Sequence, residues 1–477
     1  MAYPKLELFI AGRWRGSPVG EPVLNPADGS VIATLPHATR ADLDEALQAA
    51  QRGFETWRRI PPVERERIML RAADNLGARA EAIAQALVLD QGKTIGEARA
   101  EVQIARDRII WDATEGRRLY GRIVPAGDML QKTVVRLPLG VVAAFTPWNY
   151  PLASPTRKVA GALAAGCAII LKGAEETPAG AIELVRAFVD AGVPDGVVNL
   201  VFGKPAEISA YLIPQRQVRL VTFTGSAPVG KHLAALCGQH MKPAIMELGG
   251  NSPVIVWKDV DPRATAALAV KGKARNAGQV CVSPTRFFVH ESIHREFAEA
   301  FAEGAAKLKV GSGGDPSLEM GPLANARRLE AVEAYVADAV DRGARVLAGG
   351  KRLDNRGFLY PMTVLADVPD DARAMREEPF GPLALVNPVA SLDEAIEKAN
   401  SVDFGLAAYA FTDSSSVAAR LSAEIECGSL SINHYTSSFP DIPFGGVKDS
   451  GYGREGGAEG LDGYTFSRSV TQVPLGI

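Results

Sequence analysis

The stretch VVAAFTPWNYPLASPTRKVAGALAAGCAIILK, residues 141–172, contains two short apolar runs separated by a longer segment rich in small residues. The same alternation continues to Leu248 through the runs VVNLVF, LVTFTG and AIMEL. Apolar runs of strand length that alternate with segments of helix length are typical of parallel βαβ units. Residues 141–248 therefore predict a parallel sheet covered by helices.

One helix boundary in this region is sharply marked. Thr177 and Pro178 supply a capping residue and a proline at the first helical position, and Gly192 with Pro194 follows Ala191. This pattern predicts a helix from Pro178 to Ala191.

The sequence on either side of this region has a similar α/β character. Residues 42–118 are helical by pattern, and Pro61–Pro62 predicts a break between two helices. A second βα region begins near Val254 and runs to about Cys427. Residues 119–137 predict a hairpin arm and the tail after Gly463 a strand, and the exposed edges of both could pair with another subunit. The chain is therefore predicted to contain two α/β domains and an arm.

Composition restricts the function classes. A net charge of −3 over 477 residues provides no basic field for nucleic acid or for an anionic membrane surface. The first residues lack a secretory signal pattern, and the apolar run 159–171 is too short to span a bilayer. The cysteines are too few for a disulfide framework and fit a reducing cytoplasm: Cys167, Cys237, Cys281 and Cys427. We expect a cytoplasmic protein that acts on small molecules.

Three residues stand in contexts that suit catalysis. Cys281 lies in the polar, glycine-containing segment NAGQVC, which favours an accessible thiol over a buried structural cysteine. Glu247 ends a strand-like run before two glycines, where open α/β sheets place ligands, although a solvated turn carboxylate is the simpler interpretation. Asn149 lies between two prolines and is either a turn residue or a rigid amide donor of the kind that an oxyanion hole requires.

Two further segments suit cofactor binding. The run FTGSAPVG places Gly225 and Ser226 at a strand-to-helix junction, where a pyrophosphate could meet a helix amino end and Ser226 could cap it. Lys172 and Glu175 follow the strand AIILK and could bracket a ribose; in isolation they are a solvated loop pair. Neither segment is specific alone, because FTGSAPVG lacks the spacing of the dinucleotide-binding glycine motif.

Taken together, these segments resemble the aldehyde dehydrogenase superfamily along essentially the whole chain. The matching motifs occur in the order of that family: FTPWNYP, the Lys-x-x-Glu after the next strand, FTGSAPVG, MELGGNSP, NAGQVC, EEPFGP and PFGGVKDSGYGRE. By resemblance, Cys281 is the nucleophile, Asn149 and the Cys281 N–H hold the oxyanion, and Glu247 is the base. A thioester on Cys281 is then hydrolysed to the acid.

The resemblance also implies a cofactor and a domain plan. NAD is expected in preference to NADP, with contacts from Trp148, Lys172, Glu175, Gly225, Ser226, Glu378 and Phe380. The implied fold has a Rossmann-like cofactor domain, a second α/β catalytic domain and a β-hairpin oligomerisation arm. The cofactor domain comprises residues 1–118 and 138–249, the catalytic domain residues 250–448, and the arm residues 119–137 and 464–477. A homodimer or homotetramer is expected. One departure is Gly173, where the family usually has proline.

Within the superfamily the chain looks most like the succinic and 2-oxoglutaric semialdehyde dehydrogenases. The resemblance rests on Arg157, Arg275 and Ser438, which match residues that bind the far carboxylate of the substrate. Ala153 and Ser154 depart from the amides found in some oxoglutaric semialdehyde enzymes. Ser283 replaces the second cysteine with which some relatives form a disulfide at the nucleophile, so no such switch is expected.

Several alternatives remain open. One alternative is that both arginines are structural, which would leave a broad-specificity aldehyde dehydrogenase for neutral aldehydes. Transfer of the thioester to coenzyme A is disfavoured by Glu247, and a cofactor-free cysteine hydrolase lacks a histidine placed by motif beside Cys281. A structural protein on an inactive form of this fold is disfavoured by the intact set of Cys281, Glu247 and Asn149. No metal is expected.

Overall fold

The computed structural model describes residues 3–127, 129–353 and 357–473. Residues 1–2, 128, 354–356 and 474–477, which belong to the predicted domains and arm, lie outside the described residues. In chain order the strands are β1 (Leu8–Ile10), β2 (Arg13–Arg15), β3 (Gly20–Leu24), β4 (Val31–Pro36), β5 (Arg122–Val124), β6 (Gln131–Pro138), β7 (Val141–Phe145), β8 (Ala168–Lys172), β9 (Val198–Val201), β10 (Val218–Thr224), β11 (Ala244–Glu247), β12 (Ser252–Val256), β13 (Pro284–His290), β14 (Arg345–Ala348), β15 (Thr363–Ala366), β16 (Leu383–Val389), β17 (Phe404–Gly405), β18 (Ala407–Phe411), β19 (Ser429–Ile432), β20 (Val447–Lys448), β21 (Gly451–Tyr452) and β22 (Thr465–Gln472).

The helices alternate with these strands along most of the chain. They are α1 (Arg40–Trp57), α2 (Pro62–Ala78), α3 (Ala80–Gln91), α4 (Ile95–Glu115), α5 (Ala153–Ala165), α6 (Pro178–Asp190), α7 (Pro205–Leu212), α8 (Ala227–Gln239), α9 (Pro262–Ala274), α10 (Glu291–Lys307), α11 (Ala326–Asp341), α12 (Arg373–Arg376), α13 (Leu392–Asn400) and α14 (Ser415–Glu424). No helix in the described ranges combines the length and the apolar character needed to cross a bilayer.

The first sheet has the strand order β2-β1-β9-β8-β7-β10-β11-β21, and its central strands β9 to β11 run parallel. All residues of β7 and β8 are buried, as expected for strands covered by helices on both faces. The chain leaves β7 towards β8 on one side and returns to β10 on the other. Ligands in open α/β sheets bind at such a switch point, beyond the carboxyl ends of the strands.

The second sheet has the order β14-β15-β16-β13-β12-β18-β19, with β14 as its antiparallel edge. Its strands are parallel from β15 to β19, and apolar side chains pack on both of its faces. The hairpin β5–β6 forms a third sheet with the tail strand β22. The predicted pair of α/β regions with a hairpin arm is therefore confirmed.

Details of the predicted elements differ from the structure. The predicted break at Pro61–Pro62 is confirmed, since α1 ends at Trp57 and α2 begins at Pro62. The region contains further helix boundaries that were not predicted: Gly92 in the left-handed region ends α3, and Thr94 caps α4 in a capping box with Glu97. The helix predicted from Pro178 to Ala191 is α6, which ends at Asp190, one residue before the predicted end. Thr177 does not cap it, since its hydroxyl donates to the Trp148 carbonyl at 3.0 Å.

Candidate active site

Two of the predicted catalytic residues, Asn149 and Glu247, and the predicted cofactor residue Gly225 lie at the carboxyl ends of central strands of the first sheet. Asn149 follows β7, Glu247 is the last residue of β11, and Gly225 follows β10. The Gly225 N–H donates to the Glu247 carbonyl at 3.1 Å, which ties the ends of the two parallel strands together. These positions coincide with the ligand-binding edge that the sheet topology defines.

Asn149 is held by hydrogen bonds on both its backbone and its side chain. It is 4% exposed, and its side-chain Nδ2 donates to the Gln279 carbonyl at 3.0 Å. Its own carbonyl accepts from Lys93 Nζ and from Asn276 Nδ2, each at 3.0 Å. An amide nitrogen carries two hydrogens, so this arrangement fixes the amide and leaves a second N–H to donate. Asn149 thus meets the requirement for a rigid donor.

The loop before Cys281 has an unusual backbone. Asn276 and Ala277 have φ values of 50° and 52°, in the left-handed region that non-glycine residues rarely adopt. The Gln279 side chain holds the loop by donating to the Asn276 carbonyl and accepting from the Ala324 N–H. Backbone strain of this kind persists where surrounding contacts enforce it, and it is common at functional sites.

Cys281 is a free, half-buried thiol at the end of this loop. Burial raises its pKa to about 12, and the charges of Glu378 and Glu247 act in the same direction. The positive charges of Arg157 and Arg275 oppose this rise in pKa. The thiol of the ligand-free protein is therefore protonated at neutral pH, although two guanidinium groups favour its thiolate.

Glu247 is buried and lacks the partners that a structural carboxyl would have. It is 2% exposed, and neither side-chain oxygen has a hydrogen-bond partner among the described residues. Burial and the nearby Glu455 raise its pKa well above the ordinary value, while Lys158 and Arg157 oppose the rise. Glu455 itself forms a buried ion pair with Lys158. A buried carboxyl without partners is costly, which favours a chemical role for Glu247 over a structural one.

The predicted substrate residues are only partly brought into contact. Arg157 donates from Nη2 to the Ser438 hydroxyl and lies over the Phe444 ring at 4.5 Å. Its Nη1 atom is buried without a hydrogen-bond partner in the described ranges. Arg275 forms no hydrogen bond with Arg157 or Ser438 there, and its Nε is likewise buried and unpaired. Both guanidinium groups nevertheless act on Cys281, so both lie near the thiol.

The predicted cofactor residues lie at the ends of strands of the first sheet and in the segment before β16 that contacts them. Lys172 and Glu175 make an ion pair at the end of β8, and Trp148 packs edge-to-face on Phe380 with ring centroids 5.4 Å apart. Glu378 accepts the Gly250 N–H at 3.1 Å, and burial raises its pKa to about 7. Together they line the carboxyl edge of the sheet, which suits a nicotinamide dinucleotide.

Two glycines in this region allow a close approach of backbone and side chain. A Cβ at Gly249 would lie 2.1 Å from Glu378 Oε2, and one at Gly225 would lie 2.4 Å from the Phe223 ring. Ser226 immediately precedes α8, but its side chain makes no capping hydrogen bond. The expected Ser226 cap is therefore absent, while the helix amino end lies where the sequence predicts it.

Sequence reasoning missed the residues behind the site. Lys93, Glu97 and Glu101 contact the loops that carry Asn149 and Cys281, and Lys158 pairs with Glu455. Glu455 lies in the motif PFGGVKDSGYGRE, but that motif does not indicate Lys158 as the partner of Glu455. Most of these contacts join segments more than 50 residues apart, and a single sequence carries no signal for them.

Comparisons with known proteins identify the family to which the chain is similar. The model of the aldehyde dehydrogenase family matches residues 15–470. A 4-(hydroxymethyl)benzenesulfonate dehydrogenase of Comamonas testosteroni is 47% identical over 470 residues, 98% of each chain. The NADP-dependent succinate-semialdehyde dehydrogenase of Escherichia coli is 38% identical over 461 residues, 96% of each chain.

A solved structure is similar over almost the whole length. The crystal structure of succinate-semialdehyde dehydrogenase from Burkholderia pseudomallei has a TM-score of 0.96 and 39% identity, and the match covers 98% of both chains. The described strands and helices therefore form the aldehyde dehydrogenase fold. The chain belongs to the aldehyde dehydrogenase family.

Proposed function

We propose that this aldehyde dehydrogenase uses NAD to oxidise an aldehyde with a terminal carboxylate, such as succinic or 2-oxoglutaric semialdehyde, through a thioester on Cys281. The observation that carries the proposal is the convergence of Cys281, the fixed amide of Asn149 and the unpaired carboxyl of Glu247. Each provides one part of aldehyde oxidation: a nucleophile, an oxyanion donor and a base.

The proposed reaction has two halves. The Cys281 thiol releases its proton to solvent, and the thiolate attacks the aldehyde carbon. The resulting alkoxide is stabilised by the Asn149 amide and the Cys281 N–H. Collapse of the alkoxide expels a hydride and leaves a thioester. Glu247 then takes a proton from water, which attacks the thioester, so that the acid leaves and the thiol is restored.

The cofactor, when bound, accepts the hydride. Lys172 and Glu175 would hold the adenosine ribose, Gly225 and Ser226 the pyrophosphate, Glu378 the nicotinamide ribose, and Trp148 with Phe380 the nicotinamide side. Glu175 would repel the 2′-phosphate of NADP, which supports NAD. Equal kcat/KM with both cofactors would contradict this preference, and Glu175→Ser should relax it.

The domain plan is part of the proposal. Residues 1–118 and 138–249 bind the cofactor, residues 250–448 supply the nucleophile, and residues 119–137 with 464–477 mediate a homodimer or homotetramer. The exposed side chains of Ile123 and Val470 on the arm support an interface role.

The preference for an anionic aldehyde rests on the unpaired donors near Cys281. Arg157 Nη1, which lies 4.0 Å from Glu455 Oε2, and Arg275 Nε are buried without hydrogen-bond partners among the described residues, and the Ser438 hydroxyl adjoins Arg157. A charge-assisted hydrogen bond contributes about 1.5–3 kcal/mol, and an unpaired buried guanidinium is costly. A carboxylate at the far end of the substrate would satisfy these donors.

A sulfonated aldehyde is a second candidate. The relative from Comamonas testosteroni, whose name refers to a benzenesulfonate, is 47% identical to this chain. A sulfonate offers three oxygen acceptors to the same guanidinium groups. Phe444, which stacks on Arg157, also provides an apolar face for an aromatic ring.

The test compares charged aldehydes with neutral analogues in the presence of NAD. Succinic semialdehyde is compared with butanal, and 4-formylbenzenesulfonate with benzaldehyde, by kcat/KM. The proposal predicts at least about 10²-fold preference for the carboxylate in the first pair. A larger preference in the second pair than in the first would favour the sulfonate candidate. Equal use within both pairs would contradict an anion receptor and leave a broad-specificity enzyme.

A further inference from the structure

A buried ion pair lies behind the turn that carries Asn149, outside the groups used in the proposed reaction. Lys93, between α3 and α4, pairs with Glu101 of α4, and each is 1% exposed. A buried ion pair contributes little to stability, because the loss of hydration offsets the attraction between its charges. Its presence is therefore better explained by what the two side chains hold in place.

Within the described ranges, the other side-chain hydrogen bonds of this pair and the cation–π contact of Lys93 fall on residues 149–153. Lys93 Nζ donates to the Asn149 carbonyl at 3.0 Å and lies over the Tyr150 ring at 4.3 Å. Glu101 Oε1 accepts the N–H groups of Leu152 and Ala153 at 2.9 and 3.0 Å. The pair thus holds the turn at both ends, at the peptide of Asn149 and at the start of α5.

The same helix also reaches the loop that carries the nucleophile. Glu97 Oε1 accepts the Asn276 N–H at 2.6 Å, while its other oxygen completes the capping box with Thr94. Asn276 Nδ2 in turn donates to the Asn149 carbonyl, which therefore receives both Lys93 and the nucleophile loop. One short segment, residues 93–101, is thereby bonded to both halves of the site.

We propose that Lys93 and Glu101 are positioning residues that set the Asn149 amide relative to Cys281. This inference rests on the proposed function, since it requires Asn149 to stabilise the oxyanion. Neither side chain touches the substrate; their effect passes through the peptide of Asn149. A displacement of about 1 Å at a reacting centre costs on the order of 10²-fold in rate.

The first test measures single-turnover NADH formation in Glu101→Gln and Lys93→Met. Glu101→Gln keeps the shape of the side chain and an oxygen for the two N–H groups, so the fold should persist. Acylation should slow by about tenfold to 10²-fold in both variants, with NAD binding within about twofold of the unmodified protein. The reaction of Cys281 with methyl methanethiosulfonate, which needs no oxyanion hole, should stay within about threefold.

Lys242→Met provides a matched control. The Lys242 ammonium is half-buried and, like that of Lys93, donates to backbone carbonyl oxygen, here of Gln215 and Val218, but it lies at the opposite, amino-terminal side of the sheet. Acylation in this variant should stay within about twofold. An equal loss of acylation in Lys242→Met would show that the effect of Lys93→Met is a general loss of stability, and it would overturn the inference.

A double-mutant cycle separates the inference from the proposed function. Asn149→Ala should slow acylation by about 10²- to 10³-fold, as expected for the loss of an oxyanion donor. Glu101→Gln added to Asn149→Ala should then have almost no further effect, because the amide that it positions is gone. Multiplicative losses would overturn the positioning role alone. An Asn149→Ala rate equal to that of the unmodified protein would instead contradict the proposed oxyanion hole.

Discussion

The two sides of the active-site turn differ in how their polar groups are paired. Behind the turn, Lys93 and Glu101 are buried and bonded to each other and to backbone groups. On the side of Cys281, the Glu247 carboxyl and Arg157 Nη1 are equally buried but have no hydrogen-bond partner among the described residues. Because an unpaired buried carboxyl costs stability, Glu247 marks a place where substrate and water are expected to act. The paired side supplies rigidity.

This contrast predicts that substitutions on the unpaired side remove activity without loss of stability. The largest effect is expected for Cys281→Ala, which removes the nucleophile and should abolish NADH formation. Its unfolding midpoint should remain within a few degrees of the unmodified protein, because one half-buried sulfur is lost. Steady-state NADH absorbance and thermal unfolding measure the two quantities. Residual dehydrogenase turnover near the original rate would place the nucleophile elsewhere.

A smaller effect, on the order of 10²-fold, is expected for Arg157→Met on an anionic substrate. The variant removes the Nη1 atom, which has no hydrogen bond, and the donor to Ser438, but it keeps much of the apolar contact with Phe444. The kcat/KM for succinic semialdehyde should fall about 10²-fold, while that for butanal should change by about threefold or less. Equal losses on both aldehydes would show that Arg157 is structural, and the contrast between the two sides would then fail at this residue.

The smallest effect is expected on the reactivity of the Cys281 thiol. Burial is the main cause that raises its pKa to about 12, and the charge of Glu378 is the second. Because the thiolate is the reactive form, alkylation of the ligand-free protein by iodoacetamide should rise about tenfold per pH unit between pH 7 and 10. Glu378→Gln removes a negative charge, lowers the thiol pKa and should accelerate alkylation about threefold to tenfold at pH 8.5.

The pH dependence of this acceleration tests the charge argument. The pKa of Glu378 is raised to about 7, so its charge is present above that pH and progressively lost below it. The acceleration in Glu378→Gln should therefore shrink at pH 6. Glu377→Gln is the matched control, because the neighbouring Glu377 carboxylate faces Arg373 and Tyr335 instead. An equal acceleration in both variants would contradict a specific effect of Glu378 on Cys281.

The sequence predicts the five central strands of the first sheet, β7 to β11, well because they are marked locally. The run AIILK corresponds residue for residue to β8, and Pro178 begins α6 as predicted. Thr177 fails as a cap because its hydroxyl meets the Trp148 carbonyl, a partner 29 residues away in the chain. Local patterns describe elements well, whereas contacts between elements depend on the fold.

The candidate site shows the same division. Motifs locate Cys281, Glu247 and Asn149, but they do not reveal that the Glu247 carboxyl is unpaired or that burial raises the thiol pKa. The contact between Lys93 and Asn149 joins residues 56 positions apart and follows from no motif. Burial and pairing set the electrostatics of the site, and both arise only when distant segments pack together.

The most direct test of the proposed mechanism is a rapid-mixing measurement on Glu247→Gln with NAD and succinic semialdehyde, followed by mass spectrometry of the Cys281 peptide. Glutamine keeps the shape of the side chain but cannot take a proton from water, so deacylation should stall after one turnover. We expect one NADH per active site in a burst, followed by turnover slowed about 10²-fold or more, and an acyl group on Cys281. Linear NADH formation at the original rate, with an unmodified Cys281 peptide, would contradict the thioester mechanism and the role of Glu247 as its base.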